Sequence, residues 1–131
     1  HVASHSVVNA GESYLQLGDD RLSLGEVYGL ELEPSSLVVL SSCRSGVGVA
    51  VPGKEVTSLA TAFSVAGASA VVASRWSVDD SSTARFFELF YEALSRGVSK
   101  GEALRQAQER MAKERPEPYY WAAFSLLGDP R

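Results

Sequence analysis

The chain contains one cysteine, Cys43, and two histidines, His1 and His5. A thiol and an imidazole together can break an amide or an ester. The thiolate is the nucleophile, yet a free thiol is mostly protonated at neutral pH. An imidazole titrates near neutrality, so it can activate the thiol and then protonate a leaving amine. The backbone N–H groups of Cys43 and Ser6 are candidates to meet the oxyanion of a tetrahedral intermediate. By residue type alone, a lone cysteine is ordinarily a small buried hydrophobe and a lone histidine a surface side chain. The pair becomes a stronger signal only with the residues around it.

Val2 to Ala3 reads as the end of a strand, with His5 just past its carboxyl end. Leu37-Val38-Val39-Leu40 is a continuous apolar run, the pattern of a strand buried on both faces, and Cys43 follows its carboxyl end. Adjacent parallel strands lie about 5 Å apart. If these two are neighbours, His5 and Cys43 open onto one crevice, and the chain between them is long enough for a crossover. Ser13 to Leu17 and Arg21 to Leu24 flank Gly18-Asp19-Asp20 and read as a hairpin. Ser23 and Glu26 have capping-box spacing, which predicts a short helix to about Leu30. After a Gly-rich stretch, Ser45 to Gly53, the residues Val56, Leu59, Ala60, Phe63 and Ala66 share one helical face.

Gly67 stops that helix, and Ala70 to Ser74 reads as a second buried strand. Asp79, Asp80 and Ser81 offer N-caps for a helix turning Phe86, Leu89, Phe90, Ala93 and Leu94 inward. Ser99 and Glu102 form another capping box before a helix with Ala103, Leu104, Ala107 and Met111 on one side. Its other face, Arg105 to Arg110, reads as solvated. Arg115-Pro116-Glu117-Pro118 breaks the pattern, and Tyr120 to Leu127 is predicted to be a final strand, its aromatics packing on the sheet. Strands separated by helices imply an α/β fold with a mostly parallel sheet, in which chemistry sits at the carboxyl ends of the strands.

The 131 residues suffice for one domain with a real core. A net charge of −4 argues against a nucleic-acid or anionic-membrane surface, since both need a basic patch. No apolar run approaches the roughly 18 residues of a membrane span. A single cysteine allows no intrachain disulfide, which fits a reducing, cytoplasmic setting.

Leu40-Ser41-Ser42-Cys43-Arg44-Ser45-Gly46 resembles the nucleophile motif of the CHAT domain, a caspase-related peptidase family often fused to tetratricopeptide (TPR) repeats. His1-Val2-Ala3-Ser4-His5 resembles that family's histidine motif, whose second His is the catalytic one. Gly53-Lys54-Glu55-Val56, Ala66-Gly67-Ala68, Ala73 to Asp80, Phe90-Tyr91, Ala103-Leu104, Ala107-Gln108 and Trp121 to Pro130 continue the likeness over nearly the whole chain, residues 1–131. The resemblance implies a caspase-like three-layer sandwich, with the family's first strands absent from this stretch. It implies peptide-bond cleavage by His5 as general base and acid and Cys43 as nucleophile, without metal or organic cofactor. It also implies an oxyanion hole including the backbone amide of Ser6, where the family usually has Gly. The caspase pattern Gln-Ala-Cys is not matched, since Ser41-Ser42 precede the cysteine here, so no caspase specificity follows.

In such folds the segments Gly46–Gly53 and Arg75–Asp80 line the pocket for the residue before the cut. Asp79 and Asp80 would favour a basic residue, unless they cap the helix that follows. Arg44 and Arg75 would favour an acidic one. Trp76 is either a pocket wall or core. Three functions are in view: a regulated endopeptidase acting on protein or peptide, controlled by a partner or attached TPR-type repeats through the Ser45–Gly53 loop; a catalytically impaired interaction or scaffold module; and a small-molecule acyl-transfer enzyme using the same dyad.

Overall fold

A computed structural model describes residues 1–3, 5–8, 13–41 and 57–131; for residues 5–8, 13, 57 and 58 the description is of the backbone. The expectations for Ser45–Gly53 and Val56 fall outside the described residues.

Three strands form an antiparallel sheet in the order β1 (His5–Val8), β2 (Ser13–Leu17), β3 (Asp20–Ser23). The hairpin expected from the sequence is β2–β3. Its turn is tighter than predicted, because Gly18 takes φ 63° and Asp20 already pairs with Leu17. Ser23 ends β3 and caps α1 (Leu24–Tyr28) in the same stroke. Its hydroxyl accepts from the Glu26 N–H at 3.2 Å while the Glu26 carboxylate accepts from the Ser23 N–H at 2.7 Å. The helix stops at Tyr28, short of Leu30, with Gly29 as C-cap.

The second sheet has the order β4 (Leu37–Leu40), β5 (Ala70–Ser74), β6 (Phe124–Gly128). β4 and β5 are parallel, and Val2 bridges Leu40 in parallel on the other side of β4. β6 runs antiparallel to β5, with Ser74 opposite Phe124 and Ala70 opposite Gly128. The fold is therefore α/β with a mixed sheet.

α2 (Thr57–Val65) precedes β5 and ends in a Schellman turn. There the Ala68 N–H donates to the Phe63 carbonyl at 3.0 Å and the Gly67 N–H to the Ser64 carbonyl at 3.2 Å. α3 (Asp80–Ser95) and α4 (Lys100–Glu114) follow β5. Ser99 caps α4 through the Glu102 N–H, but the Glu102 carboxylate turns to Arg105 and Gln106, so the second half of that capping box is replaced by side-chain pairing.

The strand predicted from Tyr120 begins instead at Phe124. Residues Pro118–Trp121 form a short helix, α5, with Pro118 in its first turn. Pro carries a helix-ready φ at that position, and this outweighs the strand preference of Tyr119-Tyr120-Trp121. Tyr120 and Trp121 pack on the core from this helix rather than from the sheet.

Successive side chains of a strand face opposite ways, and the sheet accordingly carries a core on each face. Val39 and Val72 point into a cluster with Phe86, Phe87, Phe90, Met111 and Phe124, closed by α3 and α4. Leu40, Val71 and Ala73 point into a second cluster with Leu15, Val27, Leu59 and Phe63, closed by α1, α2 and β2.

Candidate active site

The Val2 N–H donates to the Val39 carbonyl at 2.8 Å, and the Ser41 N–H donates to the Val2 carbonyl at 3.2 Å. Val2, three residues before His5, thus lies beside the strand leading to Cys43 and runs the same way, as a single bridge rather than the strand end expected there. His5 and Cys43 each stand three positions along the chain from the bridged pair Val2–Leu40. His5 opens β1, its backbone opposite Gln16. Cys43 and Arg44 lie outside the described residues.

Ser6 follows in β1, opposite Leu15. No non-glycine among the described residues has positive φ. The serine therefore holds a backbone conformation open to any residue, and the glycine usual at this position is not demanded here by the chain's course.

At the tip of β5, Arg75 is exposed, and its backbone N–H donates to the Ala123 carbonyl at 2.7 Å. Its guanidinium lies 5.8 Å from the centre of the Trp76 ring. Trp76 is half-buried against the α3–α4 core, and its indole N–H donates to the Tyr119 carbonyl at 2.9 Å. It is a core side chain with one edge at the strand tip. The Tyr119 hydroxyl donates to the Ser77 carbonyl at 2.5 Å, tying α5 to the segment after β5.

Asp79 is the N-cap of α3. One carboxylate oxygen accepts from the Ser81 hydroxyl at 2.6 Å and the Ser82 N–H at 2.9 Å; the other accepts from the Ser82 hydroxyl at 2.7 Å. The Ser81 hydroxyl first, then the Ser82 groups, hold its carboxyl at about 2, below the ordinary 3.8. Asp80 is the first residue of α3 and is exposed.

Three residues that meet beside the end of β4, His1, Ser41 and Tyr91 of α3, have no role predicted from the sequence. His1 places its ring 2.9 Å from the Ser41 hydroxyl through Nε2 and 2.9 Å from the Tyr91 hydroxyl through Nδ1. His1 was visible in the sequence only as part of a motif. The available signal was its spacing: His1 precedes His5 by four residues and Ser41 precedes Cys43 by two. Tyr91 was visible only as part of the Phe90-Tyr91 likeness, and its contact with His1 gave no signal, because it arises from tertiary packing of α3.

Among the described residues, no group of three or more His, Cys, Asp or Glu side chains is placed to hold a metal ion. Among them, too, no helix is long and apolar enough to cross a membrane.

A mixed sheet between helices, with a parallel bridge that sets the segment before a His beside the strand before a Cys, fits a caspase-related α/β domain. The CHAT domain model matches residues 1–129, and the chain belongs to the CHAT domain family, which is related to caspase-like cysteine peptidases. The chain is also similar to tetratricopeptide repeat protein 28 of Homo sapiens, at 36% identity over 110 residues. That match covers 82% of this chain and 4% of the relative's length.

Proposed function

We propose that the protein is a cysteine endopeptidase of the caspase-like type, with Cys43 as nucleophile and His5 as its general base and acid. The observation that carries this reading is the parallel bridge between Val2 and Leu40, from which both residues stand at the same distance along the chain. In this reading the Cys43 thiol gives its proton to the His5 imidazole, and sulfur attacks the carbonyl carbon of the scissile peptide bond. The oxyanion meets the backbone N–H groups of Cys43 and Ser6. As the C–N bond breaks, the imidazolium gives its proton to the leaving nitrogen. Water then attacks the thioester, His5 takes up its proton, and the C–S bond breaks to return the thiol. The domain is a caspase-like three-layer sandwich acting in a reducing, cytoplasmic setting under control of a partner or of TPR-type repeats elsewhere in the protein.

For the substrate, Arg75 with Arg44 would select an acidic side chain. Asp79 supports this choice over a basic one, because both its carboxylate oxygens are committed to Ser81 and Ser82. Labelling the full-length protein with a thiol-reactive electrophile is the test. The reading expects modification at Cys43 that drops by roughly a hundredfold in His5→Ala; equal labelling of the two proteins would overturn it.

A second reading, a CHAT domain kept as a scaffold or switch, is favoured by a relative named for its TPR repeats. It wins if the full-length protein cleaves no member of a peptide library yet retains its binding partners.

A further inference from the structure

The His1 ring joins three elements. Through Nε2 it meets the Ser41 hydroxyl, immediately after β4, and through Nδ1 the Tyr91 hydroxyl on α3, both at 2.9 Å. Its face packs on Phe87, also on α3, with ring centres 5.0 Å apart. Tyr91, one turn further along α3, lies beside Phe87 on the same side, with its ring centre 5.6 Å from that of His1. Phe87 is itself buried against Phe124 of β6 at 4.9 Å, so the support reaches into the core.

Both hydroxyls can donate or accept, whereas a neutral imidazole offers one donor and one acceptor. Each ring nitrogen thus has a hydroxyl that can serve it in either tautomer, and the ring ties the residue after β4 to α3 and to the segment that continues to His5.

We propose that His1 is a positioning residue: by holding Ser41, two residues before Cys43, against α3, it serves the alignment of thiol and imidazole. The inference rests on the His5/Cys43 reading above. His1 touches neither substrate nor the reacting atoms in this role. Its effect passes through two chain positions, Ser41 to Cys43, on one side and four, His1 to His5, on the other. Small misplacements of reacting groups cost up to about 100-fold in rate.

The test uses the full-length protein with His1→Phe, Ser41→Ala, Tyr91→Phe and His1→Gln, each first compared with the unchanged protein by thermal melting. The readout is the rate of Cys43 alkylation by iodoacetamide as a function of pH, with His5→Ala alongside. His1→Phe keeps an aromatic ring against Phe87 and loses both nitrogens. It is expected to slow alkylation at neutral pH by roughly tenfold or more and to move the midpoint of the pH profile up toward about 8.5, the value of a free cysteine. Ser41→Ala and Tyr91→Phe should shift it the same way by less, and add nothing when combined with His1→Phe. His1→Gln, with a donor and an acceptor on one amide, should recover part of the rate. If His5→Ala collapses alkylation while the other four leave rate and midpoint unchanged, this inference alone is wrong. A fall in melting temperature with an unmoved pH midpoint would also overturn it, since that is a structural role. If His5→Ala itself has no effect, the dyad reading fails and takes this inference with it.

Discussion

The two faces of the β4–β5–β6 sheet are packed by opposite means. On the α3–α4 face the core is made of large rings. Phe86 stacks on Phe124 at 4.3 Å, and Phe87 meets Phe86 and Phe90 edge-on at 5.6 and 6.2 Å. On the α1–α2 face the buried residues include Ala60, Ala62, Ala68 and Ala73, and Phe63 is the single aromatic of that cluster among the described residues. There the backbones themselves come close. The Leu32 N–H donates to the Ala66 carbonyl at 2.8 Å, and a Cβ on Gly67 would stand 2.6 Å from the Leu32 carbonyl oxygen. One face is held by filled volume and the other by proximity. The first should therefore suffer most from truncation and the second from enlargement.

The largest effect should come from emptying the aromatic face. Phe86→Ala removes a fully buried ring and should lower unfolding free energy by about 3–5 kcal/mol, read from urea denaturation of the full-length protein. A loss below about 1 kcal/mol would mean that this face is not close-packed, and the contrast would disappear. Enlarging the other face comes next. Gly67→Ala adds one methyl group at φ 109° against a backbone oxygen and should cost roughly 2–3 kcal/mol. A neutral result would show that α2 and the Leu32 segment are free to separate.

Asp79→Ala, at the start of the helix that supports the aromatic face, should cost about 1 kcal/mol at neutral pH. The folded carboxyl lies at about 2, below its ordinary 3.8. Its contribution is therefore complete above the ordinary value and is lost as pH falls toward 2. Melting curves of the two proteins should converge across that acid window; a constant gap would place the cap's effect in packing rather than charge. The smallest effect is on the outside of the same face. Arg85 joins α3 to α4 through Glu114, at 2.9 and 2.7 Å, with both side chains largely in water. Arg85→Met should lower the melting temperature only slightly, and the difference should vanish near about 1 M salt.

Local signals were legible where the physics is local. Ser23 with Glu26, Asp79, and Gly67 each act within four residues of themselves, and each does in the structure what its spacing predicts. The apolar runs at Leu37–Leu40 and Ala70–Ser74 are strands with the predicted limits. Tyr120 and Trp121 read as strand because strand preference reports only that a large side chain suits a half-buried surface. Here that surface is offered by a helix started by Pro118. The reversed direction of β6 was not legible either, since an apolar run looks the same whichever way it enters a sheet.

The amino-acid order by itself determined the strands β4 and β5, the β2–β3 hairpin, the inward faces of α3 and α4, the helix caps and the family likeness carried by the His1–His5 and Leu40–Gly46 segments. These follow from periodicity, side-chain reach and residue chemistry, all short-range properties of the chain. Only the tertiary structure decided that Val2 lies against Leu40, that β6 runs opposite to β5, and that Tyr91 and Phe87 hold the His1 ring beside Ser41. Those contacts join residues dozens of positions apart, and their register comes from how two cores close on one sheet. No spacing along the chain encodes that.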